Sequence, residues 1–187
     1  MRTSRIVPTG TIREFGSEEI IVSKTDLKGI IRYTNEVFSR VAGYSREELI
    51  GSPHSLIRHP DMPGGVFRYL WQRIESGHEV FALVKNLCKD GAGYWVLAHV
   101  TPSFDRAGHI VGYHSNRRRP EHGWISAIEP LYARMRAIES GHQRPAVAAE
   151  ASLEALGREL ADLQTTYDAY IWQLIRHRDN GVRAVTA

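Results

Sequence analysis

Three strand-like runs follow one another in the first two thirds of the chain, at residues 80–89, 93–104 and 109–117. The gaps between them hold turn-forming residues, Asp90-Gly91 in the first and Asp105 to Gly108 in the second. Asp-Gly between two strands is a strong hairpin signal. The pattern therefore predicts three consecutive antiparallel strands in one sheet, and the rest of the fold has to be built around them.

A shorter hairpin and several helices precede these strands. Residues 19–23 and 30–33 read as two strands, and residues 35–44 read as a helix. A capping box that begins at Ser45 starts a second short helix, and residues 64–76 have the apolar spacing of a third. The order of elements is two strands, several short helices and three long strands, which indicates an α+β domain.

The segment 54–63, His-Ser-Leu-Ile-Arg-His-Pro-Asp-Met-Pro, interrupts the helical region. Its two prolines remove backbone donors and push the residues before them away from helical geometry. The same segment carries Arg58, His59 and Asp61 on a short, stiff turn. Such a turn suits the binding of a polar or anionic ligand, although an ordinary polar surface loop has the same composition.

The C-terminal region has a different pattern. Residues 124–139 read as a helix and residues 141–151 as a linker, and apolar residues then recur in steps of three and four from Leu153 to Leu174. This spacing predicts one helix over 153–178, roughly 39 Å long, whose seam suits a dimeric coiled coil or a bundle. The alternative is an amphipathic helix packed on its own domain.

The predicted organisation has five parts. They are an N-terminal arm at 1–16 that is mobile or loosely docked, a sensor domain at 17–120, a connecting helix at 121–140, a linker at 141–151 and a heptad-patterned helix at 152–180.

Composition excludes several classes of function. The chain has 187 residues, a net charge of +3 and 42% hydrophobic residues, which is ordinary for a globular protein. The single cysteine, Cys88, excludes an intrachain disulfide, and the histidines lack metal-binding spacing. The arginine run 117–119 is interpreted as a solvated strand end, and no nucleic-acid motif accompanies it. Neither a signal peptide nor a transmembrane run occurs, so we expect a cytoplasmic protein with no direct membrane span and no nucleic-acid partner.

Specific motifs extend the fold assignment. The segment 54–63, Phe67, Trp71, Val84-Lys85-Asn86, Tyr94-Trp95-Val96 and Gly112-Tyr113 together resemble the flavin-binding PAS domain of aerotaxis receptors. The resemblance covers residues 23–137. It implies a PAS fold, with a five-stranded antiparallel sheet and helices packed on one face, followed here by a C-terminal helical extension.

The resemblance also implies a cofactor, FAD, held without a covalent bond between the helices and the sheet. Carried over by motif position, the candidate binding residues are Asn35, His54, Arg58, His59, Asp61, Trp71, Asn86 and Tyr94. Two departures from the family stand out. Glu79-Val80-Phe81-Ala82 replaces a Pro-Trp-x-Gly motif, and His114 and Asn116 occupy positions on the last strand that are usually apolar.

The function expected from the resemblance is a redox or oxygen-level sensor that signals to an unidentified protein or through its own homodimer. A haem-binding gas sensor, supported by His114, and a ligand-free interaction module are the alternatives. An enzyme is not expected, because no dinucleotide-binding glycine motif occurs. Photoadduct chemistry is not expected either, because Cys88 lies on a strand and outside the motif that such chemistry uses.

Overall fold

The computed structural model describes residues 6–176, which form two compact units. The first unit comprises residues 6–62 and 69–120. The second comprises residues 63–68 and the described residues from 121 onward.

A five-stranded antiparallel sheet is the frame of the first unit. Its strands are β1 Ile21–Thr25, β2 Ile31–Thr34, β3 Val80–Leu87, β4 Gly93–Phe104 and β5 Ile110–Arg118. Their order across the sheet is β2-β1-β5-β4-β3. The N-terminal hairpin thus pairs with the last strand, and the three-strand meander predicted from the turn signals is confirmed.

Short helices connect β2 to β3. They are α1 Glu36–Ala42, α2 Arg46–Leu49, a 3-10 turn at His54–Ile57 and α3 Gly64–Glu75. The predicted capping box is present at α2, where Ser45 and Glu48 satisfy each other's backbone amides. These local signals are read correctly because they depend only on residues within one helical turn.

Helix α1 packs against one face of the sheet, which we call the inner face. The Phe38 ring of α1 lies 5.1 Å from the guanidinium carbon of Arg117 on β5. Because side chains alternate along a strand, the strand register identifies the other members of this face. They include Ile21, Ser23, Ala82, Val84, Asn86, Tyr94, Val96, Ala98, Ser115 and Arg117.

The described part of the N-terminal arm is docked, which agrees with the expectation of a docked arm and not with that of a mobile one. Backbone hydrogen bonds join Arg13 N to Gly93 O at 2.7 Å and Gly93 N to Thr11 O at 2.8 Å. The Arg13 side chain also donates to Val41 O at 2.8 Å. This docking could not be predicted from the sequence, because hydrogen bonds between backbone groups do not depend on a pattern of side chains. The first five residues of the predicted arm lie outside the described residues.

Three helices make up most of the second unit: α4 His122–Ser140, α5 Pro145–Asp162 and α6 Tyr167–Arg176. The predicted linker at 141–151 is wrong for most of its length, because Pro145 opens α5 at a position where a missing N–H costs nothing. No helix among residues 6–176 is long and apolar enough to cross a membrane.

The predicted single heptad helix is also wrong. Gln164 adopts a positive φ of 54°, and the chain turns between α5 and α6. Leu163, a member of the heptad seam, is 63% exposed. Buried residues of α5 instead recur every four positions, at Ala148, Ser152, Leu156 and Leu160. The part of the prediction beyond residue 176 lies outside the described residues.

The turn changes what the heptad pattern means. The Tyr132 and Tyr167 hydroxyls of α4 and α6 are 2.6 Å apart and buried, so part of the seam packs inside this unit. The alternative of amphipathic packing within the chain therefore describes the observed helices better than a coiled coil does.

Candidate ligand-binding site

Several buried polar atoms have no hydrogen-bond partner among residues 6–176, and they occur on all but one of the sheet strands. Such atoms are rare in protein interiors, because an unpaired polar group loses its hydration without compensation. In a domain that binds a ligand, they mark where the ligand's own polar atoms would go. They are Thr34 Oγ1, Asn86 Nδ2, Tyr94 Oη, Ser115 Oγ and Arg117 Nη1.

Asn86 and Tyr94 form one end of this polar row. They face each other across β3 and β4, and both are buried. Burial raises the pKa of Tyr94, so its phenol stays neutral and can donate a hydrogen bond. Asn86 offers a second donor in its unpaired amide nitrogen. Both residues were predicted from motif position, and the structure brings them together.

Arg117 lies further along the sheet, and it is not among the site residues predicted from the sequence. Arg117 is only 3% exposed. Its Nη2 donates hydrogen bonds to Ser23 Oγ at 2.6 Å and to His54 Nε2. The interpretation of the run 117–119 as a solvated strand end is therefore wrong for its first member, although Arg118 and Arg119 are exposed. Strand alternation is the signal that could have found it, because Arg117 shares the face of the apolar Tyr113.

His54 stands beside this arginine. A guanidinium can only donate hydrogen bonds, so His54 Nε2 must accept, and the proton of the neutral ring lies on Nδ1. Burial and the charge of Arg117 lower the pKa of His54 well below its usual value. The ring is thus a neutral acceptor that orients Arg117 and does not cancel its charge.

Asn35 has a structural task that accounts for all of its side-chain polar atoms. Its Oδ1 accepts from Val22 N at 3.0 Å and Phe38 N at 3.1 Å, and its Nδ2 donates to Ile20 O at 2.8 Å. It caps α1 and ties that helix to β1. A role of Asn35 in ligand binding stays a prediction. It would require one of these side-chain atoms to bond the ligand in addition to its present backbone partner.

The proline-rich loop is fastened along the edge strand β3. Arg58 forms a backbone bridge with Asn86, and Asp61 pairs with Lys85 Nζ at 2.8 Å. Lys85 N also lies 3.2 Å from the sulfur of Met62. The loop therefore closes the open edge of the sheet next to the candidate site.

The side chains of this loop point in different directions. Arg58 is exposed, and its guanidinium lies 3.5 Å from Met62 O. His59 is buried, and its Nδ1 accepts from Asp61 N at 3.1 Å. Because Lys85 and Asn86 are neighbours on a strand, they project to opposite faces, so the Asp61 carboxylate is not beside the Asn86 amide. Ligand contacts from these three loop residues stay predictions.

Comparison with known proteins identifies the domain. Residues 31–117 match the family model described as the PAS fold. The aerotaxis receptor of Escherichia coli K12 is 42% identical over 117 residues, which are 63% of this chain and 23% of the receptor. This part of the chain is a PAS domain of the aerotaxis-receptor type.

Two further similarities are more distant. The biofilm dispersion protein BdlA of Pseudomonas aeruginosa is 29% identical over 121 residues, which are 61% of this chain and 29% of that protein. The dark structure of the blue-light photoreceptor Aureochrome1 LOV superposes with a TM-score of 0.51 at 23% identity, over 64% of this chain and 86% of that one. The LOV likeness concerns the fold alone. The chain spans less than a third of either curated relative.

Trp71 lies at the opposite end of the PAS sheet from Asn86. Its ring makes an edge-on contact with Tyr113, with the centroids 5.5 Å apart. Tyr113 pairs with Pro102, which is eight residues along β4 from Tyr94, or roughly 26 Å at 3.3 Å per residue. The structure therefore does not gather Trp71 with Asn86 and Tyr94.

Small residues line the sheet between these two ends. Ala82 and Ala98 pair across β3 and β4, and Ala98 also pairs with Arg117. Ala82 belongs to the segment that departs from the family motif, and the buried Val80 of the same segment stands where the family has tryptophan. Val80 is thus a shorter side chain than the tryptophan of the family motif, whereas Ala82 stands where that motif has glycine and is larger by one methyl group.

His114 lies on the opposite face of the sheet from the polar row. His114 alternates with Tyr113 and Ser115 on β5, so it does not face the polar row. Its Nε2 lies 3.2 Å from Asn116 Oδ1.

Cys88 is fully buried, and its thiol contacts Val41 O at 3.2 Å. Burial raises the pKa of this thiol to about 11. Among residues 6–176, no cluster of three potential ligands could hold a metal ion.

Proposed function

We propose that the PAS domain binds a flavin, FAD, without a covalent bond and acts as a redox or oxygen-level sensor. The observation that carries the proposal is the row of buried, unpartnered polar atoms on the inner face. Neutral donors such as the Asn86 amide and the Tyr94 phenol suit the carbonyl and nitrogen edge of a flavin ring. The resemblance to the aerotaxis-receptor domain is what selects flavin from other polar ligands.

The arrangement fits a flat, partly polar ligand in three ways. Donors lie at one end in Asn86 and Tyr94, and a cation lies further along in Arg117. The small side chains of Ala82 and Ala98 are level with Arg117 on β3 and β4. Along β4, four residues separate Tyr94 from Ala98, or roughly 13 Å at 3.3 Å per residue. A bound flavin supplies reversible reduction, which changes the protonation and charge of its ring.

Signalling would follow from a change in these hydrogen bonds. A charge-assisted hydrogen bond gained or lost on reduction is worth about 1.5–3 kcal/mol. A coupling of that size changes the affinity for a partner by roughly 10- to 150-fold. The strand β3 is a candidate for the element that responds, because Asn86 belongs to it and the proline-rich loop is fastened to it.

Homodimerisation and an unidentified signalling partner remain part of the proposal. The coiled-coil argument for a dimer no longer supports it, because α5 and α6 are separate helices. Light scattering of the oxidised and reduced protein at several concentrations tests it directly. A monomer in both states would leave a partner protein as the route of output.

No observation favours the haem alternative. His114, the ligand on which it rested, lies on the face opposite the polar row and pairs with Asn116. A sharp Soret band in the purified protein would nevertheless reverse this choice.

The first experiment is the visible absorbance spectrum of the purified chain, before and after anaerobic dithionite and after incubation with FAD or FMN. Two flavin bands that bleach on reduction are expected. Asn86→Ala and Tyr94→Phe should weaken flavin binding, whereas His114→Ala, on the opposite face of the sheet, should leave it unchanged. A colourless protein that binds neither added flavin would refute the proposal and would favour a ligand-free interaction module.

A further inference from the structure

We propose that Arg117 is the anion-recognition residue of the PAS site, and that it binds a negatively charged group of the ligand through its unpartnered guanidinium nitrogen. The inference rests on the proposed flavin function and adds to it the charge that the site selects. The resemblance did not assign a role to Arg117, and its position in the fold is what points to one.

The first observation is a buried charge that has no counter-charge. Arg117 is 3% exposed, and among residues 6–176 no carboxylate pairs with it. Burial lowers its pKa to about 10, which leaves it protonated at neutral pH. The Phe38 ring at 5.1 Å offers only a cation–π contact. Buried ions without a partner are strongly unfavourable, so a site that keeps one is built for an incoming anion.

The second observation is the way the side chain is held. Ser23 Oγ and His54 Nε2 both accept from Nη2, whereas Nη1 is buried and has no acceptor within the part of the chain that the structure describes. The neighbouring Ser115 hydroxyl, which faces Ser23 across the strands, is also without a partner. One edge of the guanidinium is therefore fixed by neutral groups, and its other edge is left for the ligand. A planar, permanently charged donor suits an anionic oxygen or nitrogen.

Two parts of a flavin could supply this anion. One is the phosphate of FAD or FMN, which is charged in both redox states. The other is the ring, which gains negative charge on reduction. Riboflavin has the ring and no phosphate, so it separates the two sources.

The test uses the full chain with Arg117→Met, Arg117→Lys and the matched control Arg118→Met, which removes the exposed neighbour on the other face. Affinities for oxidised FAD, FMN and riboflavin are measured by fluorescence titration, and midpoint potentials are measured by dye-coupled reduction. If the phosphate is bound, Arg117→Met weakens FAD and FMN at least tenfold and leaves riboflavin unchanged.

If the ring is bound, the oxidised affinities stay within about threefold, and the midpoint potential falls with all three flavins. A tenfold loss of preference for the reduced form corresponds to about 30 mV for two electrons. Either result supports the inference. Arg117→Lys should recover part of the effect in both cases, and Arg118→Met should show none.

Stability of the ligand-free protein separates recognition from a purely structural role. Arg117→Met removes an unpaired buried charge, so without flavin it should unfold at or above the wild-type temperature. When flavin is added, its unfolding temperature should rise less than that of the wild type. A lower unfolding temperature combined with unchanged affinities and potentials would overturn the inference. Should Arg117→Met fail to fold, Arg117→Gln, which keeps a donor and removes the charge, gives the same comparison.

The two proposals fail in different ways. A wild-type chain that binds no flavin refutes the proposed function and this inference together. A wild-type chain that binds flavin while every Arg117 variant behaves like Arg118→Met refutes this inference alone.

Discussion

Gly65, in the first turn of α3, is in a position that has no room for a side chain. A Cβ atom there would overlap Ser152 Oγ, and it would lie 2.8 Å from Leu153 N and 2.9 Å from Met135 Cε. One of these atoms is backbone, so a rotamer change alone cannot relieve the contact. The Gly65 amide also donates to Glu139 Oε1 at 3.0 Å, which holds the glycine against α4. Gly65→Ala should therefore force the packed backbones apart.

Overpacking of this kind costs about 1–3 kcal/mol, although alanine has the better helix propensity. At about 3 °C per kcal/mol for a chain of this size, the thermal midpoint should fall by roughly 3–9 °C. The assay is circular dichroism at a helical wavelength. Gly157→Ala is the matched control, because a Cβ at Gly157 in α5 would meet nothing within 4 Å. That control should stabilise by up to about 1 kcal/mol. Equal midpoints for the two variants would refute the steric argument.

Three other predictions concern the PAS domain. Burial and the charge of Arg117 lower the pKa of His54 in the folded chain. Below pH 6.5, the ordinary pKa of histidine, the unfolded chain therefore binds a proton at His54 that the folded chain does not bind. The unfolding free energy should be fully present above pH 6.5 and should fall by up to about 1.36 kcal/mol per pH unit below it, with a flatter profile in His54→Gln. The buried Cys88 thiol, whose pKa is about 11, should resist a thiol-specific dye at pH 8 until denaturant is added. Asn35→Ala should lower urea stability by about 1–3 kcal/mol through loss of its cap, and Asn35→Asp, which keeps the acceptor, should lower it less.

The sheet and the short helices were predictable because their signals are local. The Asp90-Gly91 turn, the Ser45 capping box and the period of the strands each depend on residues close in sequence. The second unit was predicted poorly because its local signals do not show where the helix ends. The heptad pattern continues from Leu163 to Tyr167, and the spacing of apolar residues contains nothing that marks a turn. The break in the helix is tied to tertiary packing, such as the buried hydroxyl pair of Tyr132 and Tyr167.

Within the site, motif position could find Asn86, Tyr94 and His54. It could not find Arg117. The Arg117 guanidinium is held by Ser23, 94 residues earlier in the chain, so no local pattern relates the two. A run of three arginines also reads as solvent-exposed by composition alone. Alternation contradicts that reading, since every second residue of a strand shares a face, and Tyr113, Ser115 and Arg117 are all buried. A charged residue placed on the apolar face of a strand breaks the local rule, and residues that break it are where binding sites should be sought.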